Sequence, residues 1–128
     1  MNFAIFGLPA LGTLAIFALA PVAFAAPAPG AVDGQQLFRA RCQVCHAIAP
    51  GVASPIGPHL GGVVGRKAGS TTFAYSPAMK NAKVVWTKAN LNRYLLGPNK
   101  MIPGVRMVIT VPEASARAAI IAYLAGGR

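Results

Sequence analysis

Cys42-Gln43-Val44-Cys45-His46 constrains this chain more than any other stretch of its sequence. C-x-x-C-H is the attachment pattern of c-type haem, since each thiol can form a thioether with one haem vinyl group. The histidine that follows then lies on one haem face, where its imidazole can ligate the iron. The motif uses both cysteines of the chain, so neither remains for a disulfide or a four-thiolate zinc site. We therefore predict one covalently bound haem, around which a small core can pack.

Two other interpretations of the cysteine pair are weaker. A thioredoxin-like redox pair belongs in a βαβ context, and the sequence shows no β-rich alternation of apolar and polar residues. Half of a zinc site would need a second C-x-x-C or a histidine cluster to complete four ligands, and the sequence contains neither. Haem attachment remains the favoured interpretation.

The N-terminus predicts export. Residues 1–26 carry no charged side chain, and Ala23-Phe24-Ala25 supplies small residues where signal peptidase cleaves. We predict a signal peptide over 1–25, a flexible Pro/Ala segment over 26–32 and one domain over 33–128. No basic residue precedes the apolar run, which approaches the ~20 residues of a membrane span, so an uncleaved anchor is the alternative. The predicted location is the periplasm or the outer face of the cytoplasmic membrane.

The charge of the chain is strongly positive. Twelve lysines and arginines oppose only Asp33 and Glu113, which gives a net charge of +10. The basic residues are dispersed, with no run longer than Arg66-Lys67, and this pattern argues against a nucleic-acid-binding arm. In an exported redox protein such charge steers association towards acidic surfaces. We therefore expect acidic-surfaced redox proteins or membrane redox complexes as partners, and no nucleic acid.

Apolar residues at helical spacing alternate with loops rich in glycine and proline. The predicted helices are Asp33–His46 with Asp33 as N-cap, a short one from Pro77, Thr87–Leu96 with Thr87 as N-cap, and Pro112 to about Ala125. The segments 47–69 and 99–110 are predicted loops. Such long loops fit a compact domain only if they wrap a cofactor. The predicted fold class is therefore all-α, with three to five helices and long loops around one haem.

A second axial ligand for the iron has four candidates in the sequence. They are His59, Met79, Met101 and Met107. A thioether ligand stabilises reduced iron, and the turn expected at Pro103-Gly104 can hold Met107 in place. A methionine is often only core filler, so spacing alone leaves the choice open.

Several further motifs follow the C-x-x-C-H stretch. They are Gly57-Pro58-His-Leu, Gly65-Arg66-Lys67, Tyr75-Ser-Pro-Ala-Met-Lys-Asn, Val85-Trp86 and Pro98-Asn-Lys-Met-Ile-Pro-Gly-Val-Arg-Met107. In combination they resemble class I cytochrome c, most closely the soluble bacterial c2/c550 type and mitochondrial cytochrome c. The resemblance runs from about Asp33 to Leu124. It implies a cytochrome c fold, one haem c and a monomeric electron carrier that is not an enzyme.

The resemblance also implies a role for each iron ligand and its support. Cys42 and Cys45 would carry the thioethers, and His46 would be the proximal ligand. Met107 would be the distal ligand. The carbonyl of Pro58 would accept the other N–H of the histidine ring and so fix its orientation.

Further residues match positions around the haem in this family. Arg66, Tyr75 and Trp86 match hydrogen-bond donors to the haem propionates, which need donors or a cation when they are buried. Tyr94 matches a tyrosine beside the methionine ligand. The match also implies that the first and last helices pack together through Gly34, Phe38 and Tyr123-Leu124.

Two positions depart from the family pattern, and two of the candidate ligands have other expected roles. Val105 replaces a threonine that is common in the mitochondrial proteins, and Met79 stands where those proteins often have asparagine. We expect Met101 to line the haem pocket and His59 to be a loop histidine. The basic residues nearest the ligand-bearing segments, some of which we expect around the haem edge, are Lys67, Lys80, Lys83, Lys88, Lys100 and Arg106.

Two alternative functions stay open on the residues alone. An open-site haem enzyme or sensor would need a distal acid or base, and neither Asp33 nor Glu113 lies near a haem motif in the sequence. A redox subunit anchored by an uncleaved N-terminus is the second alternative.

Overall fold

Side-chain caps determine where three of the helices begin. Asp33 Oδ1 accepts a hydrogen bond from the backbone N–H of Gln35 at 2.9 Å, and Thr87 Oγ1 accepts one from that of Asn90 at 3.1 Å. Ser76 caps a short helix in the same way. Each oxygen satisfies an N–H group that has no partner within its own helix. The predicted N-caps Asp33 and Thr87 are therefore confirmed.

The structure, a computed structural model, describes residues 32–126 apart from 51, 53 and 55. The signal peptide predicted over 1–25 and nearly all of the 26–32 segment lie outside the described residues. In the described part the helices are α1 Gly34–Arg41, α2 Pro77–Asn81, α3 Lys88–Leu96, α4 Pro98–Met101 and α5 Ala114–Ala125.

These residues confirm the all-α fold class, with five helices. Within 32–126, excluding the three gaps, β-pairing is limited to an isolated bridge between Lys67 and Val85. None of the helices in this range combines the length and apolar character that crossing a membrane requires. Between these helices, loops make up much of the described domain, as the sequence predicted.

Two predicted helix boundaries are wrong. α1 ends at Arg41 rather than at His46, because Cys42 is its C-cap and the motif continues as a turn. In that turn the N–H groups of Cys45 and His46 both donate to the carbonyl of Cys42, at 3.0 and 2.9 Å. α5 begins at Ala114 rather than at Pro112, since Glu113 is its N-cap.

The segment 99–110, predicted as loop, begins with part of a helix. α4 has only four residues, and Pro98 occupies its first turn, where a missing N–H costs nothing. A single turn is too short to show a helical period in the sequence. The loop prediction is therefore corrected at Asn99–Met101.

The crossing of α1 over α5 forms one side of the core. Phe38 is 2% exposed and packs against Tyr123 with ring centroids 5.4 Å apart, while Ile120 is fully buried. Gly34 lies so close to α5 that an added Cβ would stand 3.0 Å from the Cβ of Tyr123 and would collide with the backbone of Ala119. The packing of the first and last helices is therefore as expected.

Arg117 of α5 ties the chain before this helix to α3. Its guanidinium is buried and donates to the carbonyls of Val111 and Pro112 at 2.9 and 2.7 Å, and to Asn92 Oδ1 at 2.8 Å. Three acceptors offset the cost of burying this cation, which forms no ion pair among the described residues. The N–H of Val111 also donates to Leu95 of α3. The segment that follows Met107 is thus fixed against the helical core.

Candidate functional site

One cavity brings together all the site residues that the sequence predicted. Its volume is about 510 Å³, within the range of sites for organic ligands. The described residues that line it are mostly apolar. The predicted site residues that line it are Cys42, Cys45, His46, Pro58, Arg66, Tyr75, Trp86, Tyr94 and Met107. Residues from widely separated parts of the chain therefore meet around one space.

His46 is oriented by the loop that follows the C-x-x-C-H motif. Its Nδ1 lies 2.8 Å from the carbonyl oxygen of Pro58. A carbonyl can only accept, so Nδ1 carries the proton and Nε2 keeps a free lone pair. Burial lowers the pKa of His46, although the bond to Pro58 opposes this shift. The ring is therefore a neutral imidazole with one nitrogen available as a metal ligand.

Gly57 gives the histidine ring its space. A Cβ added at Gly57 would stand 2.5 Å from the Cε1 and 2.7 Å from the Nδ1 of His46. Any larger residue would push the ring away from the Pro58 carbonyl. The glycine of the Gly-Pro pair is thus a positioning residue for His46, a role that the sequence interpretation did not assign.

Both cysteines of the motif are half-buried free thiols at the cavity wall. Burial raises the pKa of the Cys42 thiol, and the neighbouring Arg41 partly offsets this. The hydroxyl of Ser54 donates to the carbonyl of Cys45 at 2.6 Å and holds the motif backbone. Two thiols one turn apart, beside a ligating histidine, suit two thioether bonds to one planar ligand.

Met107 reaches the cavity from a stiff turn. Gly104 has a φ of +90°, a conformation in which glycine carries no Cβ penalty. Asn99 clamps this turn: its Oδ1 accepts from the N–H of Gly104 at 3.3 Å and its Nδ2 donates to the carbonyl of Met107 at 3.4 Å. The sequence interpretation missed Asn99, although an asparagine ahead of a Pro-Gly turn is a known signal for such bonding.

The other three candidate ligands differ in whether they line the cavity. Met79 lines the cavity and is 9% exposed. Met101 is absent from the described lining, so the expectation that it lines the pocket is wrong; it is half-buried beside the core instead. His59 is also absent from that lining, and its Nδ1 is buried without a hydrogen-bond partner among the described residues. Met107 and Met79 are therefore the thioethers at the cavity.

Several hydrogen-bond donors stand at the same cavity. Arg66 donates to the carbonyls of Gly61 and His59 at 3.0 and 2.8 Å, and its Nε has no hydrogen-bond partner among the described residues. The hydroxyl of Tyr75 lies 2.7 Å from Thr71 Oγ1. The described lining contains no aspartate or glutamate. A guanidinium and a phenol without a carboxylate nearby suit an anionic group of the ligand.

The indole of Trp86 and the phenol of Tyr94 pack edge to face, with centroids 4.9 Å apart. Both are buried at 7% exposure. Burial raises the pKa of Tyr94 to about 12, so its hydroxyl stays protonated and can donate. The two rings thus supply apolar area and polar hydrogens to one wall of the cavity.

The donor set fits a haem. Haem is a flat apolar body with two carboxylates, two vinyl groups and an iron that accepts nitrogen and sulfur ligands. The cavity offers an apolar wall, two thiols, an imidazole with a free Nε2, thioethers and donors for carboxylates. Each part of the ligand therefore has a chemical counterpart in this chain.

One of the basic residues expected around the haem edge is found at the cavity. Of the basic residues expected around the haem edge, Arg106 lines the cavity, whereas all five lysines of the chain, each in the described part, are absent from its lining. Arg41 also lines it and forms an ion pair with Glu113 at 3.0 Å. Glu113 is therefore close in space to the C-x-x-C-H motif, although 72 residues separate it from Arg41.

Known proteins resemble this chain over nearly the whole predicted domain. A family model described as cytochrome c matches residues 31–127. The chain is 42% identical over 101 residues to cytochrome c of Guizotia abyssinica, covering 77% of this chain and 91% of that protein. It is 42% identical over 105 residues to cytochrome c2 of Rhodomicrobium vannielii, covering 80% and 82%. The solved structure of cytochrome cH from Methylobacterium extorquens is similar with a TM-score of 0.66 at 35% identity, covering 73% of this chain and 94% of that one.

Proposed function

This chain belongs to the cytochrome c family, in its class I branch, and we propose that it carries electrons between exported redox partners with His46 and Met107 as axial ligands of its haem iron. Members of the family hold one covalent haem c and carry electrons rather than catalyse a reaction, and this chain does the same. The haem supplies a change between Fe(II) and Fe(III) when it is bound. The protein supplies attachment, ligands and surroundings.

The hydrogen bond between His46 and Pro58 is the observation that carries the ligand assignment. Metal-ligating histidines almost always donate their second ring N–H to a carbonyl, carboxylate or water. The 2.8 Å contact from Nδ1 to the Pro58 carbonyl has this form, and Gly57 leaves room for the ring beside that carbonyl, where a Cβ would collide with it. Cys42 and Cys45, which precede His46 in the motif, would hold the haem by thioether bonds.

Met107 is the better of the two thioether ligands at the cavity. It is half-buried and follows a turn that Gly104 and Asn99 hold in one conformation. Met79 instead belongs to the buried core and lies on the short helix α2. A ligand needs its sulfur free for the metal, whereas a core methionine uses its whole side chain for packing. His46 and Met107 would then supply one nitrogen and one sulfur ligand to the iron.

The donors around the cavity would stabilise the haem carboxylates. We assign this role to Arg66, Tyr75 and Trp86, and we place Tyr94 beside the methionine ligand. The Nε of Arg66 has no partner in the part of the chain that the structure describes, and Tyr94 keeps its proton because burial raises its pKa to about 12. Val105, buried at 7% exposure, contributes no hydroxyl here.

The proposed location is the periplasm, where the chain would act as a monomer. Cleavage after Ala25 would release the domain, and an uncleaved segment 1–25 would hold it on the outer face of the cytoplasmic membrane. The net charge of +10 favours approach to redox proteins or membrane complexes with acidic surfaces. Mass spectrometry of the exported protein decides between cleavage and anchoring by its N-terminal residue.

The ligand assignment is tested with two matched variants of the exported holoprotein. Met107→Leu removes the proposed ligand sulfur, and Met79→Leu removes the other thioether at the cavity; both keep side-chain volume. We expect Met107→Leu to lose the weak red absorption band of methionine bound to oxidised haem iron while it keeps covalent haem. We expect Met79→Leu to keep both. Persistence of the band in Met107→Leu would overturn the assignment.

A further inference from the structure

The segment that follows Met107 is held at its far end and not along its length. Residues 108–110 form no backbone–backbone hydrogen bond within the part of the chain that the structure describes. Val111 is the first residue after Met107 whose N–H is bonded again, since it donates to the carbonyl of Leu95 at 2.8 Å. The position of Met107 therefore depends on the turn before it and on the anchor at Val111.

Arg117 and Asn92, neither of which lines the cavity, complete this anchor. Arg117 Nη1 donates to the carbonyls of Val111 and Pro112 at 2.9 and 2.7 Å, and Arg117 Nε donates to Asn92 Oδ1 at 2.8 Å. The arginine is buried, so water competes little for these bonds, and hydrogen bonds from a charged donor are the stronger kind. The guanidinium therefore joins α3, the segment behind Met107 and α5 at one point.

The helix to which the segment is tied is also a wall of the cavity. α3 contributes Leu91, Tyr94 and Leu95 to the cavity lining, and Asn92 belongs to the same helix. A bond from Arg117 to Asn92 thus fixes the segment behind Met107 relative to the cavity wall. We call the pair Asn92 and Arg117 the bracket.

We infer that the bracket positions Met107 on the haem iron and limits how readily a small nitrogen ligand replaces it. The inference rests on the proposed function, because Met107 is the proposed distal ligand. A segment with few hydrogen bonds of its own opens locally when its anchor gives way. The replacement breaks the bond from the thioether sulfur to the iron and forms one from the incoming nitrogen, while the iron stays Fe(III). Both bracket residues are positioning residues, since they act through the backbone behind the ligand.

Imidazole is the probe, and it is mixed rapidly with the oxidised holoprotein. Binding must wait until Met107 leaves the iron, so the observed rate levels off at high imidazole at the rate of that departure. Loss of the red methionine band follows the reaction. Arg117→Lys keeps the charge but cannot hold all three acceptors, and we expect the limiting rate to rise about tenfold. Asn92→Ala removes one acceptor and should raise it about threefold.

Gly34→Ala is the matched control for stability. It is also expected to destabilise the fold, but its strain falls on Ala119 and Tyr123, at the contact of α1 with α5, and not on the bracket. We expect its limiting rate to stay within about twofold of that of the unaltered protein, because local openings in separate regions are independent. A rise in Gly34→Ala equal to that in Arg117→Lys would show that global stability governs the exchange and would overturn the inference.

A conservative change at Asn92 tests the bond itself. Asn92 is exposed, so its variants carry the test alone where Arg117→Lys does not assemble with haem. Asn92→Asp keeps an oxygen for the guanidinium, and we expect a limiting rate equal to or below that of the unaltered protein. A rate in Asn92→Asp as fast as in Asn92→Ala would show that the bond to Arg117 has no part in the exchange, and the inference would fail.

The absorption spectrum keeps this inference separate from the proposed function. Absence of the methionine band in the unaltered protein, or its persistence in Met107→Leu, would refute the proposed function. A normal band with unchanged limiting rates in the Asn92→Ala and Arg117→Lys variants would refute the bracket alone. A normal band with the expected rates supports both.

Discussion

Gly34→Ala tests how closely α1 and α5 approach. An added Cβ would stand 2.7 Å from the carbonyl carbon of Ala119 and 3.0 Å from the Cβ of Tyr123, and nearer still to the carbonyl oxygen of Ala119. The obstacles at Ala119 are backbone atoms of a helix, which cannot rotate aside as the end of a long side chain can. α1 must therefore shift away from α5, and the packing of Phe38 against Tyr123 loosens with it.

The expected cost follows from these contacts. Forcing a methyl group into a packed contact costs about 1–3 kcal/mol, and the better helix propensity of alanine returns at most about 1 kcal/mol. The clash is with backbone, so we place the net loss of unfolding free energy at about 1–2 kcal/mol. For a domain of this size each kcal/mol lowers Tm by about 4–8 °C. We therefore expect Tm to fall by roughly 4–16 °C.

Thermal unfolding of the holoprotein, followed by circular dichroism, measures this change. Gln36→Ala is the control, because Gln36 lies on the exposed side of the same helix and an exposed substitution there should stay within about 0.5 kcal/mol. A Tm for Gly34→Ala equal to that of Gln36→Ala would refute the close contact.

Three further predictions concern stability. Phe38→Ala, at a 2% exposed site, should lower the free energy of unfolding by about 3–5 kcal/mol in denaturant titration; a loss below about 1 kcal/mol would contradict its core position. Arg117→Lys keeps the charge but cannot reach all three acceptors of the guanidinium, and should cost about 1–3 kcal/mol in the same assay. The hydrogen bonds from its own backbone and from Arg41 hold the pKa of Glu113 below its ordinary value. A depressed pKa means stability that is present above the unfolded pKa and is lost as pH falls through the folded pKa. The acid dependence of Tm should therefore weaken in Glu113→Gln, and an unchanged dependence would refute this.

Local features of the chain could be predicted from the sequence because neighbouring residues determine them. The thiol spacing of Cys42 and Cys45 and the histidine after them are properties of five residues. The caps at Asp33 and Thr87 depend on a side chain and an N–H group a few positions on. The predicted end of α1 was wrong because Cys45 matches the helical period of α1, whereas the helix itself ends before its C-cap Cys42.

Tertiary structure alone decided which distant residues meet. Met79 and Met101 are equally plausible in the sequence, yet the paths of their loops bring Met79 to the cavity and leave Met101 outside its described lining. The pairing of Arg41 with Glu113 spans 72 residues and exists because α1 packs on α5. Contacts of this kind depend on how whole helices cross and where loops return, and no local pattern of residue types encodes that geometry. The motif therefore determined the cofactor, and the packing of the chain determined which distant side chains line the cavity beside it.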